Sequence, residues 1–243
     1  MNKLLEKVIQ AHGGLKKWNE LSSLSITIVS GGKLFATQGQ PQDASPRQME
    51  LLLHEQALTM HPFGGPGKRT NFRAKRIAVE TLEGEVYTER NGEVKFLHSH
   101  MKGKEWDPLD RAYFNGYANW NYLTMPFFMA MPGMIVDDLP PWVENGESWP
   151  GLRVIFPDGF ATHNAIQDFY FGSDYLLRRH DYYIDVSEEE FHAAQYVFDY
   201  AEVDGIRLPT IRRAYKRNDN MLPIRDELMV HIDYSNIQYK SKV

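Results

Sequence analysis

From Gly151 to Tyr239 the chain runs as a series of strand-like segments: 151–157, 161–172, 175–186, 191–203, 206–217 and 227–239. Turn-forming residues separate many of them, namely Pro157-Asp158-Gly159, Gly172-Ser173-Asp174, Val203-Asp204-Gly205 and Asn218-Asp219-Asn220. No helical spacing intervenes. Antiparallel neighbours need only a tight turn and parallel ones need a long crossover, so this layout predicts an antiparallel meander. Such a sheet has a face to bury and needs a cover. Trp106 to Ala130 offers one. Asp107-Pro108 makes a helix start, with a side-chain acceptor at the cap and a proline where the missing N–H costs nothing. Tyr113, Tyr117 and Trp120 recur at helical spacing, as do Phe114 and Asn121, and Pro126 should kink or end the run. Apolar groups on nearly every face predict a helix buried between layers.

The N-terminal half fits the same plan. Residues 3–11 have helical spacing, with Leu4, Leu5, Val8 and Ile9 on one side, and Gly13-Gly14 breaks or kinks the helix. Trp18 and Leu21 anchor a continuation, and Leu24, Ile26 and Ile28 then alternate as in a strand. Residues 36–47 read as a loop, and strand-like pieces follow at 48–60, 70–81, 85–90 and 93–99, with Asn91-Gly92 as a hairpin turn. The expected fold is α+β and mainly β, a single domain over 1–243: a curved antiparallel sheet, an N-terminal helix and a plugging helix near 107–130.

A net charge of −5 and a pI near 6.0 exclude a generally basic nucleic-acid surface, so no nucleic-acid partner is expected. The chain has no cysteine, hence no disulfide, no thiolate nucleophile and no cysteine metal site. Met1 to Gln10 is charged and amphipathic, unlike a signal peptide, and a cytoplasmic location is expected. The long uncharged run from Ala112 to Val136 holds Asn115, Asn119, Asn121, Pro126 and Pro132, which argues against an integral membrane segment. No nucleophile elbow, phosphate-binding loop or dinucleotide glycine pattern occurs, and no cofactor is expected.

A helix ending in Gly13-Gly14, then Trp18 and LSSLSI, then many antiparallel strands, then VDGIRLPTIRRAY and VHIDYSNIQY, is similar to the LolA/LolB-like lipoprotein-carrier superfamily. The resemblance implies an unclosed β-barrel, a half-barrel with helices plugging its concave face and an apolar pocket there.

The hairpin QDFYFGSDYLLRRHDYYIDV, residues 167–186, mixes aromatic and ionisable groups. A two-residue loop would set Phe169 opposite Arg178, Asp168 opposite Arg179 and Gln167 opposite His180, and a three-residue loop shifts this by one. Alternation then puts His163, Gln167, Phe169, Phe171, Leu176, Arg178, His180 and Tyr182 on one face. On the concave side these would line a cavity, and on the convex side cross-strand ion pairs such as Asp168 with Arg179 would result. His180 or His163 are candidate acid/base groups, with a carboxylate from another strand such as Asp199. One of Arg212 and Arg213 enters the cavity, and Arg213 is carried as the candidate clamp for an anionic end. Trp120, Met125, Phe128 and Met129 complete the apolar lining, the methionines beside Met131 and Met134 forming a movable lid or ordinary core. His98 and His100 share one face if 93–99 is a strand, but no third ligand is marked, and no metal is assigned. Trp142, Glu144, Glu147 and Trp149 read as a rim loop around an Asn145-Gly146 turn rather than a sugar site.

Three functions remain open. The first is binding of a hydrophobic or amphipathic small molecule in the concave face. The second is a cofactor-independent enzyme on that pocket with a histidine acid/base. The third is an interaction module without ligand. An interior packed solid with side chains would leave only the third. The oligomeric state is not readable.

Overall fold

A computed structural model describes residues 1–43, 46–187 and 189–242. Two short helices open the chain, α1 (Lys3–Ala11) and α2 (Gly14–Glu20). Asn2 caps α1 by accepting from the Leu4 and Leu5 amides at 2.8 and 3.0 Å. Gly13 has φ +120, and a Cβ there would stand 2.2 Å from the Gly205 carbonyl oxygen. The two glycine motifs of the resemblance, Gly13-Gly14 and Asp204-Gly205, therefore meet in space, and Arg207 N donates to His12 O at 3.1 Å beside them.

The strands are β1 (Leu21–Gly31), β2 (Arg47–Leu52), β3 (Ala57–His61), β4 (Lys68–Arg73), β5 (Arg76–Thr81) and β6 (Val86–Asn91), then β7 (Ile135–Glu144), β8 (Glu147–Ile155), β9 (Ile166–Phe171), β10 (Leu177–Ile184), β11 (Phe191–Val203), β12 (Ile206–Arg217) and β13 (Pro223–Ser241). They form one 13-stranded antiparallel sheet, in the order β6-β5-β4-β3-β2-β1-β13-β12-β11-β10-β9-β8-β7, which does not close. The fold is a half-barrel of two meanders joined where β1 pairs with β13. The segment between β6 and β7 must cross from one outer edge to the other. It does so through the concave side, as α4 (Val94–Met101) and α5 (Pro108–Thr124), then a short 3-10 turn over Phe127–Ala130.

α5 is the plugging helix, and its residues from Leu109 to Thr124 are buried. Asp107 and Asp110 cap its start reciprocally, each accepting the other's backbone N–H at 3.0 Å. Arg90 on β6 grips both carboxylates at 2.6 Å. Gly116 lets α5 press on the sheet, since a Cβ there would meet Phe72 Cγ at 2.4 Å. Phe127 stacks on Trp18 with centroids 4.1 Å apart, pinning the turn after Pro126 against α2.

Several local expectations change. The pieces expected at 48–60 and 70–81 are each two strands, β2 paired with β3 across a bend at 53–56 and β4 paired with β5 across a turn at 74–75. Residues 93–99 are the helix α4, not a strand, because Val94, Leu97 and Met101 bury one helical face; Asn91-Gly92 leads into it instead of turning a hairpin. The loop at 36–47 begins later, after a short helix α3 (Lys33–Thr37), and its residues 44 and 45 lie outside the described residues. The region around Trp142 is a strand hairpin, β7 with β8, in which Trp142 pairs with Trp149 across the Asn145-Gly146 turn. Pro140 and Pro141 are tolerated because β7 is an edge strand, and the register shifts at them.

Candidate functional site

The β9–β10 hairpin decides which groups face inward. Its loop is one residue longer than the two-residue case, with Gly172 N donating to Leu176 O at 2.9 Å. Leu177 pairs with Phe171 and Arg179 with Tyr170, so Arg178 is an extra residue, a β-bulge. The bulge turns Leu177 inward and both arginines outward. His180 then faces Phe169, and its ring stacks on that phenyl at 4.2 Å.

Arg178 is therefore not a cavity residue. It pairs with Asp174 at 2.7 Å and is partly exposed. Arg179 is buried on the convex side against Trp142, and its guanidinium holds Asp181 through Nε and Nη2 at 2.6 and 2.7 Å. Asp168 pairs with Arg153, not Arg179, at 2.8 Å. Arg213 is also outside, on Asp233 at 2.7 Å, and Arg207 pairs with Glu202. Arg212 is the inward arginine, 1 % exposed. Asp199 does not reach His180; it accepts from Thr210.

The concave face holds a connected set of buried polar groups. Arg212 donates to Gln195 Oε1 at 2.8 Å and to the Tyr122 carbonyl at 2.7 Å, beneath the Tyr122 ring. Gln195 Nε2 reaches the Tyr182 hydroxyl at 3.3 Å. The Tyr182 and Tyr122 hydroxyls are 3.1 Å apart, and Tyr122 lies 2.7 Å from His163 Nε2. His163 stacks flat on Tyr182 at 4.2 Å. Alongside, His180 Nε2 meets Gln167 Oε1 at 2.7 Å, and Gln167 Nε2 donates to Thr162 at 2.6 Å. Burial pushes His163 down to about 3 and His180 well down, so both imidazoles are neutral near pH 7. Burial raises the Tyr122 and Tyr182 hydroxyls.

Around His180 the interior is nearly full. Gln167, Phe169, Met125 and Phe128 meet Leu177, Asn121, Tyr122 and Arg212 about a cavity of about 10 Å³, at the lower limit for a single water. Phe171 and Met129 are core, and Trp120 is fully buried with its indole N–H on Leu52 O at 2.8 Å. Beside His163 the structure opens instead. A cleft of about 460 Å³ runs between α4 and the 156–165 loop. Val94, Phe156, Phe160 and Val186 give it apolar walls, with His98, His163, Thr162, Lys95 and Lys102 among its polar lining. His98 Nε2 and His163 Nδ1 are buried without a partner among the described residues.

Sequence reasoning thus placed His163, His180, Gln167, Phe169 and Tyr182 together, and missed Tyr122, Gln195 and the cleft wall of α4. Gln195 did carry a signal: Phe191, Ala193, Gln195 and Val197 alternate as one buried face, and a lone amide there needs partners. His98 and His100 do not share a face toward a metal. His98 stacks on Tyr117, and His100 joins Asp107 and Asp110, whose carboxylates Arg90 already holds. Trp142 and Trp149 donate to Glu144 and Glu147 at 2.8 Å, which occupies the paired carboxylates.

No family model matches the sequence, and no curated protein matches it. Solved structures do. A LolA superfamily protein from Nitrosomonas europaea superposes with a TM-score of 0.55 at 11% identity, over 99% of this chain and 93% of that one. The fold is LolA-like. A DUF1329 family protein from Desulfovibrio piger gives 0.54 at 13% identity, over 99% and 93%. A domain from Vibrio parahaemolyticus, assigned as an outer membrane lipoprotein-sorting protein, gives 0.52 at 10% identity, over 98% and 93%. These likenesses overturn the expectation of a cytoplasmic protein, because the LolA-like fold is shared with a domain assigned to lipoprotein sorting at the outer membrane. Among the described residues, no helix of this LolA-like chain is long and apolar enough to cross a membrane.

Proposed function

We propose that the protein binds a hydrophobic or amphipathic small molecule, held in the cleft between α4 and the 156–165 loop. The observation that carries this reading is the cleft itself, about 460 Å³ with apolar walls, opening beside a buried polar cluster. Pockets of this volume with few convergent polar groups suit small ligands. The LolA-like half-barrel supports the reading as a scaffold, and the site supplies the chemistry. The interior next to His180 leaves no room for a substrate, so His180 serves packing and hydrogen bonding rather than acid/base chemistry. His163, neutral and tied to Tyr122, is a contact at the end of the cleft.

Native mass spectrometry of the purified protein, followed by solvent extraction, tests this. A retained organic molecule that is lost when a wall is charged by Val94→Asp or Phe160→Asp is the expected result. A clean mass, with no uptake when long-chain amphiphiles are added, would refute the binding reading and leave an interaction module.

A further inference from the structure

The directions of the buried hydrogen bonds fix which nitrogen of His163 carries its proton. A guanidinium only donates, so Gln195 must turn Oε1 toward Arg212, 2.8 Å away. Its amide nitrogen then donates to Tyr182 at 3.3 Å. The Tyr182 hydroxyl accepts there, and its hydrogen goes to Tyr122, 3.1 Å away, the acceptor it has among the described residues. Tyr122 accepts from Tyr182 and gives its own hydrogen to His163 Nε2 at 2.7 Å. A neutral imidazole that accepts at Nε2 carries its hydrogen on Nδ1. That Nδ1–H has no partner among the described residues, and His163, 1 % exposed, is a lining residue of the cleft.

A buried donor without an acceptor is destabilising, so the position calls for an acceptor from outside the chain. The charged lining balances, Lys95 and Lys102 against Asp158 and Asp185, and the buried lining groups with an unpartnered ring nitrogen among the described residues are His163 and His98; of these only His163 has its hydrogen placed by a chain of bonds. Resting on the binding function above, we propose that the cleft takes an amphiphile whose polar end is an oxygen acceptor, a carboxylate or an ester carbonyl, seated on the Nδ1–H of His163. The apolar chain lies along Val94, Phe156, Phe160 and Val186.

Two measurements on the full chain test this. Calorimetry compares dodecanoic acid, methyl dodecanoate and dodecylammonium, which share a chain and differ in the head. The acid or the ester should bind at least about tenfold more tightly than the ammonium, a difference of about 1.4 kcal/mol. His163→Phe should weaken the acid and the ester to the level of the ammonium and so abolish the preference. Nitrogen NMR of the imidazole should show the hydrogen on Nδ1, a readout that stands if the variant does not fold. A bound chain with no head preference, or a hydrogen on Nε2, overturns this proposal and leaves the binding function intact. Uptake of none of the three overturns both.

Discussion

Arg179 and Asp181, two residues apart on β10, form a two-pronged ion pair at 2.6 and 2.7 Å on the convex face, with the arginine fully buried under Trp142. Arg153 and Asp168 form a pair of similar geometry nearby, with the arginine side chain 44% exposed. Breaking a buried pair strands a charge, and breaking an exposed one is nearly free. Arg179→Ala should therefore cost about 3 kcal/mol or more, and Arg153→Ala no more than about 1 kcal/mol. Arg217 also reaches Asp181, which keeps the first cost at the low end of the range. Urea unfolding of the two variants checks the contrast.

Arg178→Ala and Arg213→Ala should leave ligand retention unchanged, because both side chains point away from the interior and pair with Asp174 and Asp233. Stability should change by no more than about 1 kcal/mol in each. Loss of ligand in either variant, read by native mass spectrometry, would place the ligand on the outer face.

Acid should destabilise the fold through its buried imidazoles. Burial lowers His12 and His98 to about 4 and His163 to about 3 from an ordinary 6.5. The folded state binds these protons more weakly than the unfolded state does. Above pH 6.5 neither state is protonated, and the stability is fully present. As pH falls from 6.5 toward 4, the unfolded chain takes up protons that the folded chain refuses, and stability drops by about 1.4 kcal/mol per unit per histidine. His98→Phe keeps the stacking on Tyr117 and removes one such site. Its urea midpoint should gain on the parent's as pH falls from 6.5 to 5, and a constant difference would refute the assignment.

Gly116→Ala probes how tightly the helix is seated. The added methyl would overlap Phe72 Cγ and Cβ at 2.4 and 2.6 Å. Overpacking of this kind costs about 1–3 kcal/mol, which outweighs the better helix propensity of alanine. A lowered thermal midpoint is expected, and Phe72→Leu should recover part of it.

The sheet was legible because alternation and turn residues act locally: Asp204-Gly205 and Pro157-Asp158-Gly159 mark chain reversals whatever surrounds them. The plugging helix was legible from Asp107-Pro108 and its aromatic spacing. What stayed hidden depended on single-residue events or distant partners. One extra residue at Arg178 exchanged the faces of Leu177 and Arg178, and no composition rule marks a bulge. α4 is too short for its Val94, Leu97 and Met101 spacing to outweigh the strand-like HSH stretch. The cleft joins residues near 94–102 with others near 156–165, and nothing in either stretch names the other.

The crossing from β6 to β7 has a mechanical side. Those strands are the two outermost in the sheet, and the chain between them runs as a tie across the concavity. Its rigid part, the 17 residues of α5, spans about 25 Å at about 1.5 Å per residue. Arg90 clamps the upstream end to β6, and the stack of Phe127 on Trp18 anchors the downstream end. The sheet is strung like a bow, so its curvature and the tension of its own linker must change together. A guest that spreads the outer strands has to draw on that helix, whereas one that enters beside α4 leaves α5 and its two anchors in place.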